Sequence, residues 1–172
     1  LVDRTGRTGR VVCDLNEAQA LEGVHNAQNA AAAYAAVASL GIEAKPIGQG
    51  ILSFPGLSHR MENLGSIGAV RFINDSKATN VDAAAKALSA FSSIRWICGG
   101  LEKEGGLDTL SDAARANVTK AYVIGREAST FAMKLPVDAA VCTTMAAAVA
   151  QAMCIKDSRI HFFHRNFSEL GD

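Results

Sequence analysis

Over most of its length from Ile67 onward, the chain alternates between two apolar patterns. Runs of strand length occur at 69–73, 94–98, 121–124, 139–142 and 159–163. Segments of helical pattern separate them at 80–91, 107–116, 126–134 and 143–154. In the first of these, Val81, Ala84, Ala85 and Leu88 follow the i, i+3, i+4, i+7 spacing of a stripe turned toward a core. Asn80 before it is a suitable side-chain cap, and Asp82 suits the positive end of the helix. Strands alternating with helices predict an α/β fold, a mostly parallel sheet with helices on both faces.

The earlier part of the chain reads differently. Residues 1–24 are polar, with short strand candidates at 1–3 and 10–13. The intervening "RTGRTGR" predicts a hairpin turn, and its glycines fall at no phosphate-loop spacing. "HNAQNAAAAYAAVASLG", residues 25–41, predicts a helix, because alanine is the best helix former and Gly41 can supply a left-handed cap. Pro55-Gly56 interrupts any helix, so "FPGLSHRME", residues 54–62, predicts a domain boundary.

Composition narrows the function classes. Apolar residues are 49% of the 172, enough for a core. Lys plus Arg and Asp plus Glu are both 17, so the net charge is zero and a nucleic-acid partner is not expected. No apolar run reaches about 18 residues, so no membrane span or membrane partner is expected. "LVDRTGRTGR" lacks a signal-peptide core and an initiator Met, which predicts a fragment or a processed product. Cys13, Cys98, Cys142 and Cys154 form no C-x-x-C pair, and Cys98 and Cys142 each close an apolar run. Small buried thiols in a reduced, cytoplasmic compartment are expected.

In parallel sheets, ligands bind beyond the carboxyl ends of the strands, and the polar clusters lie there. Asn74-Asp75-Ser76-Lys77 follows the strand at 69–73 and leads through Thr79 and Asn80 into a helix. A loop entering a helix offers free N–H groups and a positive dipole end, Lys77 adds a cation, and Asp75 can accept from ribose hydroxyls. A capped helix start with solvated charges would look the same. "GGLEKEGG", residues 99–106, brings Lys103 to the next strand end, where it can pair with a carboxylate or phosphate. A plain strand-to-loop turn fits it as well. Arg60, within "FPGLSHRME", can grip phosphate or form a surface ion pair with Glu62.

"HNAQN", "FPGLSHRME", "FINDSKATN" and "GGLEK", in this order and at these separations, resemble the Mur ligases. The likeness is to members adding D-glutamate to UDP-N-acetylmuramoyl-L-alanine, and it runs from about residue 20 to 135. "NDSKATN" is its most specific element; sister ligases and folylpolyglutamate synthases carry a different Asp-containing sequence there. The resemblance implies that residues 1–53 end a central ATPase domain and that 54–172 form a Rossmann-like C-terminal domain. It implies Asn26 and Asn29 near adenine, Arg60, Asp75 and Lys77 on ATP, and Thr79 and Lys103 on D-glutamate. It implies an ATP-dependent amide-bond-forming ligase of peptidoglycan precursor synthesis, working through an acyl phosphate, with UDP-N-acetylmuramoyl-L-alanine, D-glutamate and ATP as partners. A monomer is expected.

The family's phosphate loop, carbamylated lysine and Mg2+ ligands have no counterpart in these residues, so the chain alone is expected to be inactive, with no metal ligands of its own. The family's Ser-Pro-Ala tail segment is not recognisable in 161–172, and no site residue is assigned there. Two other readings share the pattern: a sister Mur ligase with another amino acid, and a non-catalytic Rossmann-like binding module.

Overall fold

A computed structural model describes residues 1–6, 8–99, 108–154 and 160–163. The chain divides into two units, Leu1–Gly56 and Leu57–Asp172.

The first unit opens with a small hairpin. Strands β1 (Val2–Asp3) and β2 (Arg10–Val11) pair antiparallel, Val2 opposite Val11. Helix α1 (Val24–Ala38) covers the expected alanine-rich segment and ends before Gly41, whose φ of 83° is left-handed. Tyr34 on α1 donates its hydroxyl to Asp3 Oδ2 at 2.7 Å, which ties helix to hairpin. Helix α2 (Ala44–Leu52) has no counterpart among the expected elements, since Pro46, Gly48 and Gly50 weaken any helical signal. Pro46 lies in the first turn, where its missing N–H costs nothing. Gly48 permits a close approach, because a Cβ there would collide with the Val12 carbonyl. Cys13, Ala30, Ile47 and Ile51 form the centre of this unit.

The second unit is a six-stranded sheet. Its elements are β3 (Glu62–Ile67), β4 (Val70–Asn74), α3 (Val81–Leu88), β5 (Ile94–Gly99) and α4 (Asp108–Asn117). They continue as β6 (Val118–Ile124), α5 (Ala128–Lys134), β7 (Ala139–Val141), α6 (Met145–Met153) and β8 (Ile160–Phe163). The strand order is β3-β4-β8-β5-β6-β7. β3 runs antiparallel to β4, and every other pairing is parallel. The α/β architecture expected from the alternation is therefore present. β3 was not expected: "ENLGSI" has no apolar period, and it forms an exposed edge strand.

Alternation along the central strands places helices on both faces. Ile94, Trp96 and Cys98 of β5 pack with Leu88 of α3, Leu110 of α4 and Ala128 of α5. Ile97 and the neighbouring Tyr122 pack instead with Ala148 and Ala152 of α6. All six residues of β5 are buried, as a strand covered on both faces requires. Of the expected stripe, Ala84 and Leu88 are buried and Val81 and Ala85 partly so, while Ala87 joins the core as well. Cys13, Cys98 and Cys142 are buried free thiols, and Cys154 is exposed. Among the described residues no helix is long and apolar enough to cross a membrane.

Candidate functional site

The site in the second unit is built where β4 ends. Asn80 caps α3 as expected: its Oδ1 accepts from Ala83 N at 2.8 Å. Asp82 sits in the first turn, and the main chain from Asn74 to Asn80 delivers Asp75, Lys77 and Thr79 to this end of the helix. Lys77 and Thr79 are exposed, whereas Asp75 is only 4% exposed.

Asp75 is anchored from another loop. Its Oδ1 accepts from Met61 N at 3.0 Å. Lys77 N donates to His59 O at 2.9 Å, so the segment around Arg60 lies along the segment around Asp75. These bonds join two stretches separated by the β3–β4 hairpin. Arg60 itself is exposed, and its N–H donates to Leu57 O at 3.1 Å, closing a turn. His59 and Met61 on either side of it have φ of 66° and 48°. Left-handed conformations cost a non-glycine residue energy, and they persist where surrounding bonds over-determine them.

Electrostatics at Asp75 follow from this setting. Burial pushes its carboxyl up to about 6, while the Met61 N–H and the Arg60 charge pull the other way. The carboxylate is thus costly where it stands, and an incoming hydroxyl or cation would relieve that cost. Exposed Lys77, exposed Arg60 and the start of α3 give this edge a positive character suited to an anion.

Glu62 does not pair with Arg60. Its Oε2 accepts instead from His59 N at 2.8 Å and from Asn74 Nδ2 at 3.1 Å. Sequence reasoning missed His59, Met61 N, Glu62 and Asn74 as parts of this assembly. Asn74 was visible in the polar cluster, but a left-handed turn of non-glycine residues leaves no pattern in a sequence. Lys103 and the loop that carries it lie outside the described residues.

Asn26 and Asn29 stand one turn apart on α1 in the first unit. Asn26 is buried and donates Nδ2 to Glu22 O at 2.8 Å; Asn29 Nδ2 reaches Asn26 Oδ1 at 3.4 Å. Asn29 also borders an apolar groove of about 530 Å³, lined by Leu21, Ala30, Ile47, Ile51 and Phe54 among others.

A family model described as "Mur ligase, glutamate ligase domain" matches residues 59–159. The chain belongs to the Mur ligase family. It is 63% identical over 139 residues to a UDP-N-acetylmuramoylalanine--D-glutamate ligase of Roseobacter denitrificans, covering 81% of this chain and 30% of that protein. It is 56% identical over 150 residues to the ligase of the same name from Ruegeria pomeroyi, covering 87% and 32%. The chain thus spans less than a third of the length of these curated relatives. Among solved structures, MurF from Acinetobacter baumannii superposes with a TM-score of 0.63 at 23% identity, covering 83% of this chain and 34% of that one. The MurC ligase of Thermotoga maritima gives 0.63 at 17%, covering 87% and 35%. At those identities the likeness speaks for the shared Mur ligase fold. Arg60, Asp75, Lys77, Thr79 and Lys103 fall inside the family match, and Asn26 and Asn29 precede it.

Proposed function

We propose that this chain is the amino-acid-binding and part of the nucleotide-binding portion of an ATP-dependent ligase that adds D-glutamate to UDP-N-acetylmuramoyl-L-alanine. The names of relatives up to 63% identical support the reaction. The observation that carries the site is the bonding of the Arg60 turn to the Asp75 segment, which sets a cation and a costly buried carboxylate beside a helix start. On this reading Arg60, Asp75 and Lys77 hold ATP, with Asn26 and Asn29 near the adenine. Thr79 and Lys103 hold the carboxylates of D-glutamate.

The γ-phosphoryl group of ATP passes to the carboxylate of the UDP-linked substrate, leaving ADP and an acyl phosphate. The D-glutamate amine attacks the acyl carbon, and the tetrahedral adduct collapses to an amide with loss of phosphate. This chain's share is to orient the amine and the nucleotide. Mg2+ would shield the phosphates in such a reaction. Among the described residues no three His, Cys, Asp or Glu side chains come together to hold a metal.

Phosphate release by the complete ligase tests the reading. D-Glutamate should support turnover; turnover with L-lysine or diaminopimelate but not D-glutamate would defeat it. Lys103→Ala should raise the D-glutamate requirement at least tenfold and leave ATP affinity nearly unchanged, since a charge-assisted contact is worth about 1.5–3 kcal/mol. Arg60→Ala should act on ATP instead.

A further inference from the structure

The side chain of Asn74, the last residue of β4, is held in one orientation. Its Oδ1 lies 3.2 Å from Ser76 N. A main-chain N–H can only donate, so the amide oxygen must face Ser76 and the amide nitrogen must face away. That nitrogen is 2.9 Å from His59 Nδ1 and 3.1 Å from Glu62 Oε2. An amide NH2 has two hydrogens to give and accepts nothing. His59 Nδ1 must therefore be the acceptor, and the ring proton must sit on Nε2. A ring protonated on Nδ1 would set an N–H against the amide hydrogens, despite the Glu62 carboxylate 3.9 Å from that atom.

The same bonds fix the main chain. Glu62 Oε2 takes a second bond from His59 N at 2.8 Å, and His59 O receives Lys77 N at 2.9 Å. The turn with left-handed His59 and Met61 around Arg60 is thus gripped at His59 through ring, N–H and carbonyl.

We propose that Asn74 is a positioning residue, which holds His59 as the neutral Nε2–H imidazole and, with Glu62, fixes the turn that presents Arg60. Its consequence for nucleotide binding rests on the role of Arg60 given above. Nε2–H is then the donor that the ring of His59 keeps, on a side chain that is 57% exposed.

Long-range 1H–15N spectra of the labelled full chain test the first half, with the His59 signals assigned by His59→Gln. The wild-type ring should show a protonated Nε2 and a bare Nδ1. Asn74→Asp keeps the acceptor that Ser76 N needs and replaces both donors by an acceptor oxygen facing Nδ1, so the ring should move toward the Nδ1–H tautomer. A wild-type ring that already averages both tautomers, or an Asn74→Asp ring unchanged from wild type, overturns the proposal. Glu62→Gln keeps an acceptor oxygen and should leave the tautomer in place; a shift equal to that of Asn74→Asp would make the carboxylate the controlling group and overturn the assignment to Asn74. Should Asn74→Asp not fold, Asn74→Ala serves in its place.

In the complete ligase, Asn74→Asp should raise KM for ATP about tenfold, the equivalent of the lost hydrogen bonds, with kcat changed far less. A role confined to the bond with Ser76 N predicts that Asp leaves KM unchanged, because Asp keeps that bond. A tautomer shift with no change in KM overturns the link to Arg60. Arg60→Ala without effect on ATP would instead defeat the nucleotide reading, and the spectra would still decide the role of Asn74.

Discussion

The two units of this chain bury their apolar residues to different depths. In the second, Trp96, Tyr122, Ile73, Leu88 and Ile97 are at most 1% exposed, and helices cover both faces of the sheet. In the first, the core residues Ile47 and Ile51 retain 8% and 9%, Val24 and Leu40 are 79% and 78% exposed, and an apolar groove lies open beside α1 and α2. Alanines let helices approach closely but remove little apolar surface from water, and buried area is what stabilises. A high apolar content therefore does not by itself make a core. Side-chain size and the number of covering layers decide it.

Separating the units gives the largest effect. Residues 57–172 expressed alone should unfold cooperatively on heating, and residues 1–56 should show no cooperative transition by circular dichroism. Two comparable melts would break the contrast. A milder version compares one truncation in each unit. Leu88→Ala, at a site with no exposure, should cost about 2–5 kcal/mol; Ile51→Ala, beside the groove, should fall at or below the bottom of that range. Urea unfolding of both variants measures the difference, and equal losses would mean that the groove confers no slack.

Charge gives the smallest and most selective contrast. Asp75 in the second unit sits at about 6 against an ordinary 3.8. The folded chain holds that proton more tightly, so this group lowers stability as pH rises from 3.8 to about 6, and the loss persists above. Asp75→Asn keeps an acceptor for Met61 N without the charge and should gain about 2–3 kcal/mol at pH 7, with little gain near pH 4. Asp3 in the first unit has the opposite sign. Bonds from Thr5 N, the Thr5 hydroxyl and the Tyr34 hydroxyl hold its carboxyl below the usual range. Its contribution is present above the ordinary value and fades as pH falls through the lowered one. Urea midpoints of Asp75→Asn and Asp3→Asn against pH should therefore diverge from wild type in opposite directions at neutral pH.

What could be read in advance follows the same physics. Elements with a full buried face declared themselves: the β5 run, the α3 stripe and the Asn80 cap were all legible as patterns. β3 and α2 were not, because an exposed edge strand needs no apolar alternation and a helix with Pro46 in its first turn and Gly48 against a carbonyl carries breakers for packing reasons. Residue types made Arg60, Asp75 and Lys77 candidates for an anion site. Their coupling through Met61 N, His59 and Asn74 was hidden, since it depends on a backbone turn and on which atoms a hairpin brings side by side.

One feature of the sheet bears on how the chain reaches its fold. Among the described strands β8 comes last in sequence, yet it lies between β4 and β5. During synthesis from the N-terminus, β4 and β5 emerge long before the strand that joins them. Two inner edges must wait with unpaired N–H and C=O groups, the condition that invites mispairing with other chains. The sheet can close only after residues 160–163 leave the ribosome, so its assembly is intrinsically late and built on distant pairings. A nascent chain stalled before residue 160 should remain sensitive to protease and bind chaperones, and release of four more residues into the gap would end that vulnerable interval.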